Sequence, residues 1–111
     1  MSSKRYCYAL DLINDEELIA AYKKYHENVW PEIIKGIKDS GITSMEIYHV
    51  ADRLFMIMEV NESFSFEKKV EMDANNPREK EWQDLMWKYQ KALPCAKPGE
   101  KWILMDRIFK L

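Results

Sequence analysis

Residues 42–60, ITSMEIYHVADRLFMIMEV, decide the fold because they contain two strand patterns separated by the dipeptide Ala51-Asp52. In the second pattern Leu54, Met56 and Met58 occupy alternate positions, which is the period of a strand and not of a helix. A connection this short joins antiparallel neighbours, so the stretch predicts a β-hairpin. The dipeptide lacks glycine, and the sequence therefore leaves the turn type open.

The segment before this hairpin predicts one strand and one interrupted helix. Residues 5–12 alternate as a strand, and residues 14–39 place apolar side chains at helical spacing. Pro31 interrupts the helical pattern, because proline cannot donate to the preceding turn and disfavours a helical conformation at the residue before it. We therefore expect a break near residues 28–30, with a second helical piece that runs from Pro31 to about Asp39.

The segment after the hairpin completes a recognisable order of elements. Residues 63–93 predict two helical pieces divided at Asn75-Asn76-Pro77, and residues 101–110 predict a last strand. The order over residues 1–111, taken as a single domain, is β-α-β-β-α-β. It predicts an α+β, ferredoxin-like fold with an antiparallel four-stranded sheet and both helical segments on one face. Because the strands are apolar on both faces, the other face is expected to pack against a partner's sheet or to line a ligand cavity.

Composition excludes several classes of function. The chain has 111 residues and a net charge of -2, whereas a nucleic-acid-binding domain normally shows a basic patch. No apolar run approaches the roughly 18 residues of a membrane span, and no secretory signal pattern follows the N-terminus. We therefore expect a cytoplasmic protein, in which the two isolated thiols Cys7 and Cys95 favour free cysteines over a disulfide.

The residues that could carry proton transfer are few. His26 and His49 are the two histidines of the chain, and Tyr22, His26 and Trp30 follow one another at intervals of four. Histidine titrates near neutral pH, so it is a natural proton-transfer group. A lone helical histidine is more often a structural residue, and by spacing alone Tyr22 and Trp30 are more often core. No Cys or His cluster with metal-ligand spacing is present, so no metal is expected.

Aromatic side chains, a proton-transfer group and carboxylates together suit a sugar ligand. Aromatic rings pack against the C–H faces of a sugar, and polar groups bind its hydroxyls. Mutarotation needs little more than an acid and a base, because the ring opens at the anomeric carbon and closes again. Several charged residues of the strand patterns are candidates for lining such a site, although most charged strand residues face solvent. They are Asp11, Glu46, Glu59, Asp106 and Arg107.

Five segments resemble one known family. Residues 22–32, YKKYHENVWPE, resemble the signature of the L-rhamnose mutarotase family, in which Tyr-x-x-x-His is followed by Trp-Pro-Glu. The resemblance continues in the same order and covers essentially the whole chain. The further matching segments are GITSMEIY at 41–48, RLF at 53–55, MWKY at 86–89 and KWILMDRIFKL at 101–111.

The resemblance implies a dimeric α+β barrel that interconverts sugar anomers without a cofactor. The family's proton-donating histidine falls at His26, and its substrate-binding tyrosine falls at Tyr22. An aromatic pair that binds sugar falls at Met86 and Trp87, so only Trp87 keeps the aromatic character. A substrate-contacting tyrosine of the second strand falls at Met45, which departs from the family pattern.

The two departures, Met45 and Met86, point to a sugar other than L-rhamnose, because a methionine cannot supply a tyrosine hydroxyl and adapts its shape more readily than a ring. The chain most resembles the branch of the family assigned to L-fucose. We therefore expect a mutarotase for a 6-deoxyhexose, with L-fucose ahead of L-rhamnose, and a homodimer that binds no nucleic acid or membrane. The expected catalytic residues are His26 and Tyr22, and the expected substrate-binding residues are Tyr22, Trp30, Met45, Glu46, Met86 and Trp87.

Three alternatives stay open at the level of sequence. One is another cofactor-free enzyme on the same dimeric barrel, such as a monooxygenase, since a fold alone does not define a reaction. Another is a sugar-binding module that leaves anomer exchange at its uncatalysed rate. The third is a dimerisation domain that binds no sugar.

Overall fold

A computed structural model describes residues 4–111 as an antiparallel sheet with helical segments between its strands. The elements in chain order are β1 Lys4–Leu12, α1 Glu16–Tyr25, α2 Pro31–Asp39, β2 Ile42–Val50, β3 Arg53–Val60, α3 Phe66–Ala74, α4 Pro77–Trp87, β4 Gln90–Lys91 and β5 Ile103–Leu104.

The strand order is β2-β3-β1-β4, and β5 also pairs with β1. Every pairing is antiparallel, and β2 and β3 form the predicted hairpin, with Val50 opposite Arg53. Ala51 closes the hairpin turn with a φ of 51°, the left-handed region that glycine more often occupies. The predicted α+β, ferredoxin-like architecture is confirmed, and β1 lies in the middle of the sheet.

The helices begin where local capping places them. Asp15, Ser65 and Asn76 each accept a backbone N–H from the first turn of the next helix; the Leu18 N–H, for example, lies 3.0 Å from Asp15 Oδ1. Pro31 and Pro77 each open a helix, where the missing N–H costs nothing. The breaks predicted near residues 28–30 and at residues 75–77 are therefore confirmed.

In the C-terminal part of the chain, two predictions of secondary structure are wrong. Helix α4 ends at Trp87, and Gln90–Lys91, expected to be helical, pairs with β1 instead. The strand expected over residues 101–110 is reduced to Ile103–Leu104, and the residues beyond it have no regular structure. The apolar alternation there is genuine, but a strand needs a hydrogen-bonding neighbour, and β1 pairs with only two residues of this segment. Ile108 and Phe109 consequently remain 95% and 75% exposed.

The core lies between the helices and one face of the sheet. One cluster of buried side chains joins β1 and β3 to α1, α2 and α4, and a second cluster lies around β2 and β3. The first contains Leu12, Tyr22, Ile33, Leu54, Trp82 and Met86, and the second contains Ile42, Met58 and Val60.

On the opposite face of the sheet, no helix within residues 4–111 packs against the strands. Its middle is apolar and half-buried, with Cys7 opposite Ile57 and Phe55 on the same face. Ion pairs lie toward its two ends, and they join Arg5 to Glu59 at 2.9 Å and Arg53 to Asp11 at 2.7 Å. Over residues 4–111, the helices are too short or too polar for any of them to cross a membrane.

Candidate functional site

A cavity of about 910 Å³ opens between the helices and the helix-side face of the sheet. Its wall contains side chains from α1, α2, α3, α4 and the strands, and it touches both buried clusters. A smaller depression of about 420 Å³, lined by Ala21, Lys24, Tyr25, Asn28 and Tyr89, contains none of the predicted site residues. The larger cavity is therefore the candidate site.

His26 reaches this cavity because α1 ends at the residue before it. Its backbone N–H turns to the Lys23 carbonyl at 3.1 Å, and its ring Nδ1 lies 2.8 Å from the Tyr22 carbonyl oxygen. A carbonyl only accepts, so Nδ1 carries the hydrogen. In the neutral imidazole the other nitrogen, Nε2, then has the free lone pair and can exchange a proton with a ligand.

Aromatic rings hold the imidazole in place. Its centroid lies 4.5 Å from the Tyr22 ring and 5.7 Å from the Trp82 ring, the latter in an edge-to-face arrangement. Trp30 packs edge-to-face on Trp82 at 5.1 Å, and the Arg78 guanidinium lies 4.0 Å from the Trp30 ring centre. Trp30 is thus placed behind Trp82, where it supports the wall of the cavity and is not part of it.

Tyr22 contributes a hydroxyl that stays protonated. The side chain is 3% exposed, and burial raises its pKa to about 12, opposed in part by a hydrogen bond from Gln90. Gln90 Nε2 donates to the Tyr22 oxygen at 3.0 Å. Because this oxygen already accepts a hydrogen bond, the Tyr22 hydroxyl is left to donate its own proton.

The structure brings some of the predicted residues together and separates others. Met45 and Met86 line the same cavity as Tyr22 and His26. Glu46 follows Met45 on a strand, so it points to the opposite face of the sheet, where it accepts a hydrogen bond from the Tyr48 hydroxyl at 3.2 Å. Trp87 is 36% exposed and lies outside the cavity wall, with the Lys101 ammonium 4.8 Å from its ring centre.

Sequence reasoning missed a polar chain in the wall. Lys101 Nζ donates to the side-chain oxygen of Gln83 at 2.6 Å, and Gln83 Nε2 donates to Glu79 at 2.7 Å. All three line the cavity. Burial lowers the pKa of Lys101 to about 8, against the opposing effect of the Asp84 and Glu79 carboxylates. The sequence feature that could have indicated this polar chain is the spacing of Glu79 and Gln83, which are four residues apart and share one helix face.

The chemistry of the donor set does not suggest a metal centre. Within residues 4–111, no group of three or more His, Cys, Asp or Glu side chains is placed to hold a metal ion. Cys7 and Cys95 are free thiols, as expected. The cavity offers one imidazole, the phenols of Tyr8 and Tyr22, hydrogen-bonded polar side chains and apolar walls.

Such a site defines a class of protein: a small α+β domain whose cavity has both polar and apolar surfaces beside a histidine. The model of the L-rhamnose mutarotase family matches residues 5–111, and the chain therefore belongs to that family of carbohydrate isomerases.

Individual relatives agree with this assignment. The chain is 46% identical over 113 residues to the L-fucose mutarotase of Xanthomonas campestris pv. campestris, with 100% of this chain and 90% of the relative covered. It is 32% identical over 83 residues to the L-rhamnose mutarotase of Formosa agariphila, with 70% and 73% covered. The crystal structure of L-rhamnose mutarotase from Formosa agariphila superposes with a TM-score of 0.71 at 24% identity, covering 97% of this chain and 98% of that one, and it confirms the fold.

Proposed function

We propose that this protein is a mutarotase that interconverts the α and β anomers of a 6-deoxyhexose, with L-fucose preferred to L-rhamnose. The observation that carries the proposal is the placement of His26, whose Nδ1 is occupied by the Tyr22 carbonyl while its ring lines a cavity with apolar walls. The chemistry requires no cofactor, because proton transfer alone opens and closes the sugar ring.

In the proposed reaction, His26 Nε2 exchanges one proton with the sugar while Tyr22 holds the oxygen atoms in position. His26 Nε2 takes the proton of the anomeric hydroxyl and delivers it to the ring oxygen, and the bond between C1 and the ring oxygen breaks. The open-chain aldehyde then rotates about the bond between C1 and C2. Closure by the reverse transfer gives the other anomer and returns the proton to the anomeric oxygen, so the protein is unchanged after each cycle.

The wall suits a sugar because it combines polar side chains held by hydrogen bonds, such as Tyr22 and Gln83, with a larger apolar surface. Trp82, Met45 and Met86 supply apolar contact for the C–H faces of the ring. Glu46, Trp30 and Trp87 do not line the cavity of this chain, and their contact with substrate stays a prediction.

The preference for L-fucose rests on similarity over the whole chain. The L-fucose mutarotase of Xanthomonas campestris pv. campestris matches 100% of the chain at 46% identity, whereas the L-rhamnose mutarotase of Formosa agariphila matches 70% at 32%. Met45 and Met86 in the wall are consistent with a pocket that differs from that of an L-rhamnose enzyme.

The proposal includes a homodimer that packs sheet against sheet. The uncovered sheet face has an apolar middle at Cys7, Phe55 and Ile57, which a second copy would remove from water. A mass measurement in solution at micromolar concentration tests this: we expect a particle of twice the 13.3 kDa chain mass. A particle of the chain mass would contradict the facing-sheet dimer. The cytoplasmic location also stays a prediction.

Saturation-transfer NMR between the α and β anomeric protons tests the activity, with L-fucose and L-rhamnose compared side by side. We expect exchange that depends on the protein for both sugars and is faster for L-fucose. Faster exchange with L-rhamnose would reverse the proposed preference. Binding of either sugar without faster exchange would identify a sugar-binding module instead of an enzyme.

A further inference from the structure

Gln90 lies in the cavity wall at a point that the backbone fixes firmly. It follows α4 and belongs to β4, where it pairs with Leu12 of β1. The neighbouring Tyr89 carbonyl accepts the Ile13 N–H at 2.9 Å. The side chain of Gln90 is 6% exposed, so its amide is enclosed by protein.

The amide is only half satisfied. Its Nε2 donates to the Tyr22 hydroxyl oxygen at 3.0 Å, whereas its Oε1 is buried without a hydrogen-bond partner. Among the non-exposed side chains of residues 4–111, Gln90 Oε1 is the one buried nitrogen or oxygen atom that has no hydrogen-bond partner. Proteins normally satisfy buried acceptors, and because Gln90 belongs to the cavity wall, a group that enters the cavity is the nearest partner for this oxygen.

The bond that Gln90 does make also has a chemical consequence. Because Gln90 donates to the oxygen of Tyr22, the Tyr22 proton is directed elsewhere. Rotation of the amide by half a turn would exchange the two atoms and leave its NH₂ group in place of the oxygen. In the observed orientation the NH₂ group holds the Tyr22 oxygen, and Oε1 is left to accept a hydrogen bond from a hydroxyl group. The rotated amide would instead accept the Tyr22 proton, so only the observed orientation leaves that proton for a ligand.

We infer that Gln90 is a substrate-binding residue that bonds one ring hydroxyl of the sugar and positions the Tyr22 hydroxyl as a donor to the same sugar. The inference rests on the proposed function. It makes Gln90 a determinant of specificity, because a sugar without a hydroxyl at that point leaves a buried polar atom unpaired, and sites of this kind reject such analogues. L-fucose and L-rhamnose differ in the configuration of their C2 and C4 hydroxyls, so a contact at either carbon would separate them.

The test is a double-mutant cycle in which one change is made in the protein and the other in the sugar. Gln90→Met keeps the length of the side chain and removes the amide. Anomer exchange is measured for the full-length wild-type protein and for Q90M with L-fucose and with its 2-deoxy, 3-deoxy and 4-deoxy analogues. We expect wild type to lose about tenfold to a hundredfold in kcat/KM on one of the three deoxy sugars through the lost contact.

On the same reasoning Q90M loses this factor on L-fucose and on the two deoxy sugars that keep the contacted hydroxyl, but not on the deoxy sugar that lacks it. Any loss that comes from the displaced Tyr22 hydroxyl is common to all four sugars. A uniform loss on all four sugars would show a purely structural role and would overturn the inference. Wild-type rates in Q90M would overturn it as well. No acceleration of any sugar by wild type would instead overturn the proposed function, and this inference with it.

A second variant keeps the test decisive should Q90M not fold. Gln90→Glu retains an acceptor at the same place, so we expect it to discriminate against the same deoxy sugar as wild type. Thermal unfolding and circular dichroism establish that the variant is folded. Loss of that discrimination in folded Q90E would overturn the assignment of Gln90 as the acceptor of a sugar hydroxyl.

Discussion

The two helical walls of the cavity are built in different ways. At the end of α1, the side chains of Tyr22 and His26 lie four residues apart. A hydrogen bond from His26 Nδ1 to the Tyr22 carbonyl fixes the imidazole within one turn. On α4, Glu79 and Gln83 are joined to Lys101, a residue 18 positions beyond Gln83. The first wall carries the proposed proton-transfer group and the second carries charge and hydrogen-bonding capacity. The pair proposed for proton transfer is thus held by a contact within one turn, whereas the polar chain joins segments that only the fold brings together.

The sharpest test of the α1 wall is His26→Ala. We expect the rate of anomer exchange to fall by about 10²- to 10⁴-fold, the usual contribution of a positioned acid or base. His49→Ala is the matched control, because His49 is exposed near the hairpin turn and does not line the cavity. Saturation-transfer NMR reports both variants, and thermal unfolding checks that each is folded. Equal rates for H26A and wild type would remove His26 from the reaction.

A smaller loss is expected for Tyr22→Phe, which removes only the hydroxyl. We expect kcat/KM to fall by about tenfold to a hundredfold, and the free energy of unfolding to fall by about 1–3 kcal/mol, because the Gln90 Nε2 donor is left buried without its acceptor. Tyr25→Phe, on the same helix but outside the large cavity, is the control. A Y22F protein with unchanged kinetics would show that the two α1 residues do not act together.

The local features of this chain could be predicted from sequence, and the distant ones could not. Pro31 and Asn76-Pro77 mark their helix boundaries through their own backbone chemistry, and the two strands of the hairpin follow a period of two. Apolar side chains also alternate in the segment from Lys101 onward, yet this segment forms only a short strand. Its own residues do not determine how far it pairs with β1. Gln90 likewise forms a strand residue only through its pairing with Leu12.

The same distinction separates the site residues. The spacing of four made Tyr22 and His26 visible as candidates, but spacing alone favoured a structural role, and the family resemblance assigned them, Met45 and Met86 to the site. Gln90 and Lys101 were missed because neither has a local pattern that indicates a ligand. Glu46 was expected to bind sugar, but strand alternation turns it away from the cavity that Met45 lines.

A change in the α4 wall should alter the binding of the sugar more than the rate of the chemical step. Glu79→Gln keeps the shape of the side chain and removes the charge that Gln83 Nε2 contacts at 2.7 Å. We expect KM to rise by about threefold to tenfold with kcat nearly unchanged, as for a residue that binds ground state and transition state equally. Glu67→Gln, an exposed residue at the start of α3, is the control. A fall in kcat at constant KM would show that this wall takes part in the chemical step.

The smallest expected effect is on the pH dependence of stability, and it arises from the charge of Lys101. Burial lowers its pKa from 10.5 to about 8 in the folded protein, so the unfolded chain binds this proton more tightly. Between these two values the unfolded state carries more protons, and wild-type stability should therefore rise with pH relative to Lys101→Met, which cannot titrate. After allowance for solvent screening the gain is about 1 kcal/mol. The opposite effect of Tyr22, whose pKa is raised, is present in both proteins and cancels in the difference.

Thermal unfolding of wild type and K101M from pH 7 to pH 10.5 measures this difference, with the exposed Lys91→Met as control. We expect the melting temperature of wild type to rise by a few degrees relative to that of K101M across this window. A stabilisation of about 1 kcal/mol shifts the melting temperature of a domain of this size by roughly 4–8 °C. The two curves should be parallel below pH 7, where Lys101 is charged in both folded and unfolded states. Parallel curves over the whole window would mean that the Lys101 ammonium is solvated in the folded protein.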